Sequence, residues 1–202
     1  MIVTRIARIF LLLFFICTTS VFATSVLEVS LSEMLQKSQM VFVGKVTDIQ
    51  VRENVRGRIH TYVTFRIKEI IKGEYGDSAI TLSFLGGTVG DVTSAVSDMQ
   101  YPEKGEHGIY FVESTARAQV NPLYGWSQGH FIVVQDGTGA DRVMTNRKLP
   151  ITRVMDSAAK ETRGLSAGVA RGIVVGQSKK HEEGLTVQEF KESLLKTIRS
   201  QQ

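Results

Sequence analysis

Three side chains able to exchange protons stand close together before a predicted strand. Glu103, Glu106 and His107 place two carboxylates and one imidazole within five residues. Such groups perform general acid–base catalysis when they share a site with a substrate. His130 opens a later predicted strand and joins the set if the two strands are neighbours. A hydrolase or metal enzyme is therefore one hypothesis; the alternative is that Glu106 binds the backbone or an arginine at the strand entrance.

The histidines do not form a metal-binding motif. His60, His107 and His130 each stand at a strand start, where two of them meet at one rim if their strands are adjacent. The alternative is that they are edge or turn residues, and His181, among lysines and glutamates, is predicted to be solvated. No His-x-x-x-His or Cys-x-x-Cys spacing occurs. The leading prediction therefore assigns no metal, no cofactor and no catalytic residue.

A glycine-rich start marks the segment 85–105 as a long loop. Gly86, Gly87 and Gly90 resemble a phosphate-binding loop only superficially, because the Gly-Lys-Ser/Thr ending and the following helix are missing. They are predicted to allow positive φ at a sharp exit from a strand. Loops of this length inside a compact domain are often functional. Gly86 and Gly87 are accordingly predicted to border a binding surface.

Aromatic residues supply the rest of that predicted surface. Tyr124 and Trp126 flank Gly125, and together with Tyr101 they form an aromatic patch if the loops converge. Such a patch suits a peptide, glycan or protein partner, because aromatic rings offer rigid, amphipathic contact area. In the alternative interpretation Trp126 plugs the end of the fold and the tyrosines seal neighbouring strands.

The first 23 residues predict export from the cytoplasm. Arg5 and Arg8 make a basic start, residues 9–17 are apolar, and residues 21–23 end in the small Ala23. This order is typical of a secretory signal peptide, with cleavage predicted after Ala23. The apolar run is too short to span a bilayer permanently, so no stable membrane span is expected after cleavage. The predicted location is periplasmic or extracellular.

Removal of that segment leaves 179 residues, which suits one domain with a tail. The formal net charge falls from +4 to +2, because the segment carries two arginines and no acidic residue. So mild a charge disfavours nucleic acid as a partner. The only cysteine, Cys17, lies in the predicted signal, so no disulfide is expected. Ile16 precedes it where a lipoprotein site needs a small residue, which disfavours lipidation.

The elements that must position these residues are predicted to be mainly β-strands. Residues 60–71 are the clearest case, because Val63, Phe65 and Ile67 alternate with polar residues, the period-two pattern of a strand with one buried face. Residues 31–38 predict a short capped helix. Further strands are predicted over 40–51, with a bulge or bend at Gly44, and over 80–84, 107–113, 130–135 and 142–145.

The predicted fold class is all-β: a five- to six-stranded OB-like barrel with short flanking helices and a C-terminal amphipathic helix. The barrel domain with its N-terminal helix occupies residues 24–150, and a flexible linker occupies 151–185. The C-terminal helix occupies 186–202, capped by Thr186 with Glu189 three residues on, and carrying an apolar stripe.

The opening strands also carry a family resemblance. Residues 38–46, 62–67 and 70–73 resemble the first strands of netrin-like domains, the OB-type barrels of tissue inhibitors of metalloproteinases and their relatives. With Gly86-Gly87, Pro102 and Tyr110-Phe111, the same layout resembles uncharacterised exported bacterial proteins. The resemblance implies a fold. It transfers no inhibitory residue, because in those inhibitors an N-terminal cysteine chelates the protease zinc, whereas here the predicted N-terminus is Thr24.

The leading function predicted from the sequence is an exported, non-enzymatic binding module. Its protein, peptide or glycan partner is expected on loops at one end of the barrel, at the surface containing Tyr101, Tyr124 and Trp126. A secreted protease inhibitor or regulator is the alternative that the resemblance implies. The hydrolase or metal enzyme built on the acid–base residues is the second alternative.

Overall fold

The computed structural model describes residues 26–155, 164–177, 180 and 183–201. The predicted signal peptide, Cys17, His181 and part of the predicted linker lie outside these residues. The helices are α1 (Leu31–Lys37) and α2 (Val187–Ser200), and a short 3-10 helix covers Trp126–Gly129. The strands are β1 (Met40–Glu53), β2 (Ile59–Lys72), β3 (Ala79–Leu85), β4 (Gly87–Val89), β5 (Val92–Ser94), β6 (His107–Val112), β7 (His130–Gln135), β8 (Asp141–Thr145), β9 (Ile151–Val154) and β10 (Ile173–Val175).

Six strands form one antiparallel sheet in the order β3-β2-β1-β6-β7-β8, so the expectation of a mainly β fold is confirmed. No closed barrel is found in the described part of the chain, because β3 and β8 do not pair. Other segments cover these edges instead. Leu85 N donates to Val120 O on the β3 side, and Val143 N donates to Leu185 O on the β8 side. These contacts satisfy backbone groups that barrel closure would otherwise satisfy.

The central strands β1 and β6 bury apolar residues on both faces of the sheet, and this produces two cores. Val41 and Val43 of β1 point to one face and Phe42 points to the other, as successive residues of a strand must. The helix-side core joins the first face to α1, α2 and the β9–β10 pair. The loop-side core gathers Phe42 with aromatic side chains of the neighbouring strands, including Phe65 and Phe84. The first residues of β1, Met40–Val43, are apolar on both faces, which is typical of a strand covered on both sides.

Both helices form where their capping residues predict. Ser30 caps α1, its hydroxyl accepting from Glu33 N at 3.0 Å, and Leu31, Met34 and Leu35 are buried on the sheet. Thr186 and Glu189 form a complete capping box at the start of α2. The α2 residues Phe190 and Leu194 are fully buried in the helix-side core. The C-terminal helix therefore packs on its own sheet.

The segment predicted as a linker contains paired strands. β9 and β10 form an antiparallel pair with Ile173 opposite Val154, and both Ile151 and Ile173 are buried in the helix-side core. Each strand has only three or four residues, so no period-two pattern marks it in the sequence. The predicted long loop 85–105 likewise contains the β4–β5 hairpin. No helix of the described residues is long and apolar enough to cross a membrane.

Candidate functional site

The candidate site begins where β6 and β7 lie side by side. His130, the first residue of β7, is directly opposite Tyr110 of β6. Glu106 lies just before β6 and four residues before Tyr110, so the two side chains project on the same face of the sheet. The Tyr110 and His130 rings are stacked, with centroids 5.4 Å apart. Strand register therefore brings together three polar side chains that are up to 24 residues apart in the sequence.

The Glu106 carboxylate links the three residues. Its Oε1 accepts hydrogen bonds from His130 Nε2 at 2.7 Å and from the Tyr110 hydroxyl at 2.8 Å. The side chains of Glu106 and His130 are only 8% and 3% exposed. Burial alone would raise the pKa of Glu106, but the hydrogen bond and charge of His130, together with the Tyr110 hydrogen bond, hold the pKa below its ordinary value. The site thus keeps a carboxylate ionised under a nearly closed surface.

Tyr110 acts in this site as a hydrogen-bond donor. Its side chain is fully buried. Burial, the nearby charge of Glu106 and the hydrogen bond to that carboxylate all raise the pKa of Tyr110 far above its ordinary value. The phenol therefore remains protonated at neutral pH, and its hydroxyl donates to Glu106.

A pair of glycines makes room for this arrangement. Gly44 of β1 and Gly108 of β6 are direct partners in the ladder. A Cβ atom on Gly108 would lie 2.7 Å from the Tyr110 hydroxyl oxygen and 2.6 Å from Phe131 O. Since real side chains do not approach so closely, only glycine lets the Tyr110 ring lie over this position and reach Glu106.

A cleft of about 470 Å³ opens beside the buried carboxylate, and we call it the β7 cleft. Ile132 and Val134, alternate residues of β7, form its apolar wall. Its polar lining comes from three segments: the end of the 85–105 loop, the strand pair β6–β7, and the turn after β8. The polar lining residues are Gln100, Tyr101, Glu103, Lys104, Glu106, His130, Asn146 and Lys148.

Two buried polar atoms of the residues lining this cleft have no hydrogen-bond partner in the described part of the chain. They are His130 Nδ1 and Asn146 Oδ1. The amide nitrogen of the same Asn146 side chain donates to Ser127 O at 3.2 Å, which fixes the side chain in place. Buried polar groups in folded proteins are almost always paired, so unpaired ones at a cleft are candidate contact points for a ligand.

The rim of the β7 cleft carries two lysines. Lys104 and Lys148 are exposed, and neither takes part in an ion pair with another described residue. Lys148 has a φ of 61°, a left-handed conformation that is uncommon for a residue with a side chain. It stands in the tight turn after β8, where Lys148 N donates to Thr145 O. The fold therefore holds a strained residue at the edge of the cleft.

The acid–base group predicted from the sequence is only partly assembled. Glu106 and His130 meet, and the exposed Glu103 lies beside them, its backbone N–H 3.4 Å from Glu106 Oε2. His107 follows Glu106 directly and therefore projects from the opposite face, where its Nδ1 lies 3.9 Å from Asp141. Burial and the charges of Lys68 and Lys45 lower the pKa of His107 against the opposing effect of Asp141.

The three predicted aromatic residues are divided between the two sides of the sheet. Tyr101 packs on the loop-side core against Phe84 and lines the β7 cleft, its hydroxyl donating to Leu85 O at 2.9 Å. Tyr124 packs on the helix-side core, and its hydroxyl donates to Glu33 at 2.8 Å. Trp126 starts the 3-10 helix with a φ of 59°. Of these, only Tyr101 lines the β7 cleft.

Gly86 and Gly87 direct the chain where the loop leaves β3. Both have positive φ, 96° and 129°. A Cβ atom on Gly86 would lie 2.6 Å from both Ser94 O and the Tyr101 hydroxyl oxygen. The expected positive φ at a sharp strand exit is therefore confirmed, and the absence of a side chain at Gly86 leaves room for Tyr101 beside the cleft.

His60 takes part in a separate hydrogen-bond network. Its Nε2 lies 3.1 Å from Asn54 Nδ2, and its Nδ1 lies 2.9 Å from Ser83 Oγ. Burial, followed by the charge of Arg58, lowers the pKa of His60. Among the described residues, no group of three or more His, Cys, Asp or Glu side chains is placed to hold a metal ion.

Five residues at this site were not predicted from the sequence: Tyr110, Ile132, Val134, Asn146 and Lys148. Two signals were available for the first three. Glu106 and Tyr110 are an even number of residues apart at one strand, and Ile132 and Val134 share the face opposite to the buried Phe131 and Val133. The turn residues Asn146 and Lys148 carry no such signal.

No protein-family model, curated protein or solved structure matches this chain. Fold and geometry alone therefore describe the class to which it belongs: a mainly β protein with a two-sided antiparallel sheet and a polar cleft over a buried carboxylate–imidazole pair.

Proposed function

We propose that this protein is an exported, non-enzymatic binding module and that its ligand enters the β7 cleft. The observation that carries this proposal is the pairing, in one cleft, of an apolar wall with polar atoms that lack partners. Ligand sites in proteins commonly combine apolar lining with a few fixed polar groups. Export is part of the proposal because the first 23 residues resemble a signal peptide.

The lining favours a ligand chain with both an apolar face and hydrogen-bonding groups. Ile132 and Val134 offer the surface for the apolar face. Asn146 Oδ1 accepts a hydrogen bond from an O–H or N–H group, and Lys104 and Lys148 donate to oxygens at the rim. Sugar units and short peptide segments both meet these requirements, which supports a glycan, a peptide or a protein loop as partner.

The same proposal includes a relationship between this sheet and OB-like folds. It is supported by β1, a strand of 14 residues that pairs with both β2 and β6 and shifts register at three places, one of them at Gly44. Such shifts bend a strand strongly, as a coiled OB-like sheet requires. The protease-inhibitor alternative rests on the resemblance alone, since no described contact favours it.

The binding proposal is tested by titrating the 15N-labelled protein with peptide and glycan libraries. Chemical-shift changes are expected at Ile132, Val134 and Asn146. Val134→Asp is expected to weaken any ligand found at least tenfold, because it places a charge on the apolar wall. Val174→Asp is the matched control: it is also a half-buried strand valine, but it lies outside the cleft. Shift changes confined to other surfaces would refute the proposal.

A hydrolase is the second candidate, and the 2.7 Å contact between Glu106 and His130 favours it. A carboxylate that orients an imidazole is a common arrangement for general base catalysis. The purified protein would then convert members of an ester and glycoside panel, and His130→Gln would abolish turnover without preventing folding. Ligand binding without turnover would leave the binding module as the function.

A further inference from the structure

The turn between β1 and β2 presents an apolar side chain surrounded by arginines. Val55 is completely exposed, at 104% of its reference area. Arg56 follows it directly, Arg58 ends the turn, and Arg52 lies near the end of β1; all three are exposed. A single exposed valine is ordinary on a protein surface, but an exposed valine at the apex of a turn with several arginines is uncommon.

The positive charges of this turn are not neutralised within the described residues. None of the three arginines takes part in an ion pair there, and Arg52 instead lies over the ring of Tyr62, 4.3 Å from its centroid. Glu53 is the one acidic residue in the segment 52–58. The end of the hairpin therefore carries a net positive charge.

The turn is held in a defined shape, so the exposure of Val55 is built in. Asn54 Oδ1 accepts from the backbone N–H groups of Arg56 at 2.9 Å and Arg58 at 3.1 Å. Asn54 N donates to Arg58 O, and Gly57, with φ 69°, donates to Asn54 O. These bonds close the turn beneath Val55 and keep its side chain from folding back onto the sheet.

We propose that this turn docks on a bilayer surface rich in anionic lipids. Val55 enters the interfacial layer while Arg52, Arg56 and Arg58 contact headgroup phosphates, which guanidinium groups bind through paired hydrogen bonds. An apolar tip ringed by basic residues is the combination that interfacial binding uses. A dissolved acidic polymer would use the arginines but leave Val55 in water, so the exposed valine favours lipid. This surface is independent of the β7 cleft.

Co-sedimentation with vesicles tests the proposal. The protein is expected to bind vesicles of phosphatidylcholine mixed with phosphatidylglycerol, to bind pure phosphatidylcholine much less, and to be released by high salt. Arg56→Gln and Arg58→Gln are each expected to weaken binding roughly fivefold, the effect of one basic residue near an anionic surface. Val55→Asp should also weaken binding. Leu165→Asp is the matched control, because Leu165 is an exposed apolar residue elsewhere, at 70% exposure.

A second variant tests insertion directly. In Val55→Trp, tryptophan emission is expected to shift to shorter wavelength on the mixed vesicles by more than in the parent protein, whose only tryptophan is Trp126. Equal binding by the parent and Val55→Asp would overturn the proposal. So would binding to a soluble acidic polysaccharide without binding to vesicles, which would assign the arginines to a dissolved polyanion.

Discussion

His130 Nε2 lies 2.7 Å from Glu106 Oε1, and both side chains are almost completely shielded from water. A buried carboxylate is costly unless a partner compensates it, and here an imidazole and a phenol do so. The contact depends on register, because the pairing of β6 with β7 sets His130 opposite Tyr110. The β7 cleft thus lies over a buried carboxylate whose hydrogen-bond partners are positioned by the pairing of β6 with β7.

Removing the imidazole is expected to destabilise the fold strongly. His130→Ala leaves the Glu106 carboxylate buried without its main partner, and breaking a buried pair in this way typically costs about 3–5 kcal/mol in the free energy of unfolding. Tyr110→Phe removes one hydrogen bond to the same carboxylate and should cost about 1.5–3 kcal/mol. Urea denaturation measures both. A loss below about 1 kcal/mol for His130→Ala would show that the pair contributes little.

Glu106 should make the fold sensitive to acid. Its pKa in the folded protein lies below its ordinary value of 4.5, so the native state holds the proton less tightly than the unfolded chain. The stability from this group is fully present above pH 4.5 and is lost as the pH falls through the folded pKa. We expect Glu106→Gln to have a flatter dependence of unfolding free energy on pH in that window. An unchanged slope would assign the acid sensitivity to other carboxyls.

The β1–β2 turn should loosen in mild acid. Asn54 Oδ1 accepts from two backbone N–H groups, which orients the amide so that Nδ2 donates to His60 Nε2. His60 must then be neutral, with Nδ1–H donating to Ser83. Protonation of His60 Nε2 would place two hydrogen-bond donors, Nε2–H and the Asn54 amide, opposite each other. The pKa of His60 in the folded protein is lowered below 6.5. The stability that neutral His60 gives to the turn is therefore present above pH 6.5 and is lost as the pH falls through the folded pKa.

Amide hydrogen exchange measures this loosening. The protection factors of the Arg56 and Arg58 amides, corrected for intrinsic exchange, are expected to fall on acidification below pH 6.5. His60→Gln should remove the pH dependence. His107→Gln is the control, because the pKa of His107 is also lowered but its side chain lies near Asp141, away from these bonds. Protection that is unchanged in acid would contradict the assigned tautomer.

The sequence predicts the local elements well because each has a local cause. The alternation of Val63 and Phe65 with polar residues identifies β2, and Thr186 with Glu189 identifies the start of α2. The arrangement of these elements has no such signal. Open or closed edges depend on distant segments, as when Leu85 bonds to Val120, and the short strands β9 and β10 are defined only by each other.

The sequence predicts some residues of the candidate site, but it does not predict how they are arranged. The residue types of Glu106 and His130 predict acid–base chemistry, but these two residues are 24 positions apart in the sequence and meet only because β6 pairs with β7. His107 is the sequence neighbour of Glu106, but strand alternation places its side chain on the other face of the sheet. The predicted aromatic patch requires the loops to converge, whereas Tyr101 and Tyr124 pack on opposite cores.

Lys72 should stabilise the end of α1. Its ammonium group donates to Leu35 O at 2.5 Å and Ser38 O at 2.6 Å, carbonyls at the C-terminal end of the helix. Charged donors at such positions satisfy unpaired carbonyls and favour the helix dipole. Lys72→Met is expected to lower the unfolding free energy by about 1–2 kcal/mol. Lys68→Met, which changes an exposed lysine four residues earlier, should change it by less than about 0.5 kcal/mol.

The glycine pair beneath the site should resist any side chain. A Cβ atom on Gly44 would lie 2.7 Å from the Phe42 ring and 2.9 Å from Arg66 O, and on Gly108 it would meet Phe131 O at 2.6 Å. Backbone atoms cannot give way cheaply, so Gly44→Ala and Gly108→Ala should each cost about 1–3 kcal/mol of unfolding free energy.

The matched control for this pair is Gly76→Ala, because Gly76 has open space around it and an ordinary φ. That change should be neutral or stabilise the fold by up to about 1 kcal/mol, since alanine restricts the unfolded chain. Gly108→Ala has a second expected effect: it displaces the Tyr110 hydroxyl from Glu106, so the Tyr110 side-chain resonances should shift as they do not in Gly76→Ala. Equal stability of all three variants would mean that the β1–β6 contact is looser than the close approach at these glycines indicates.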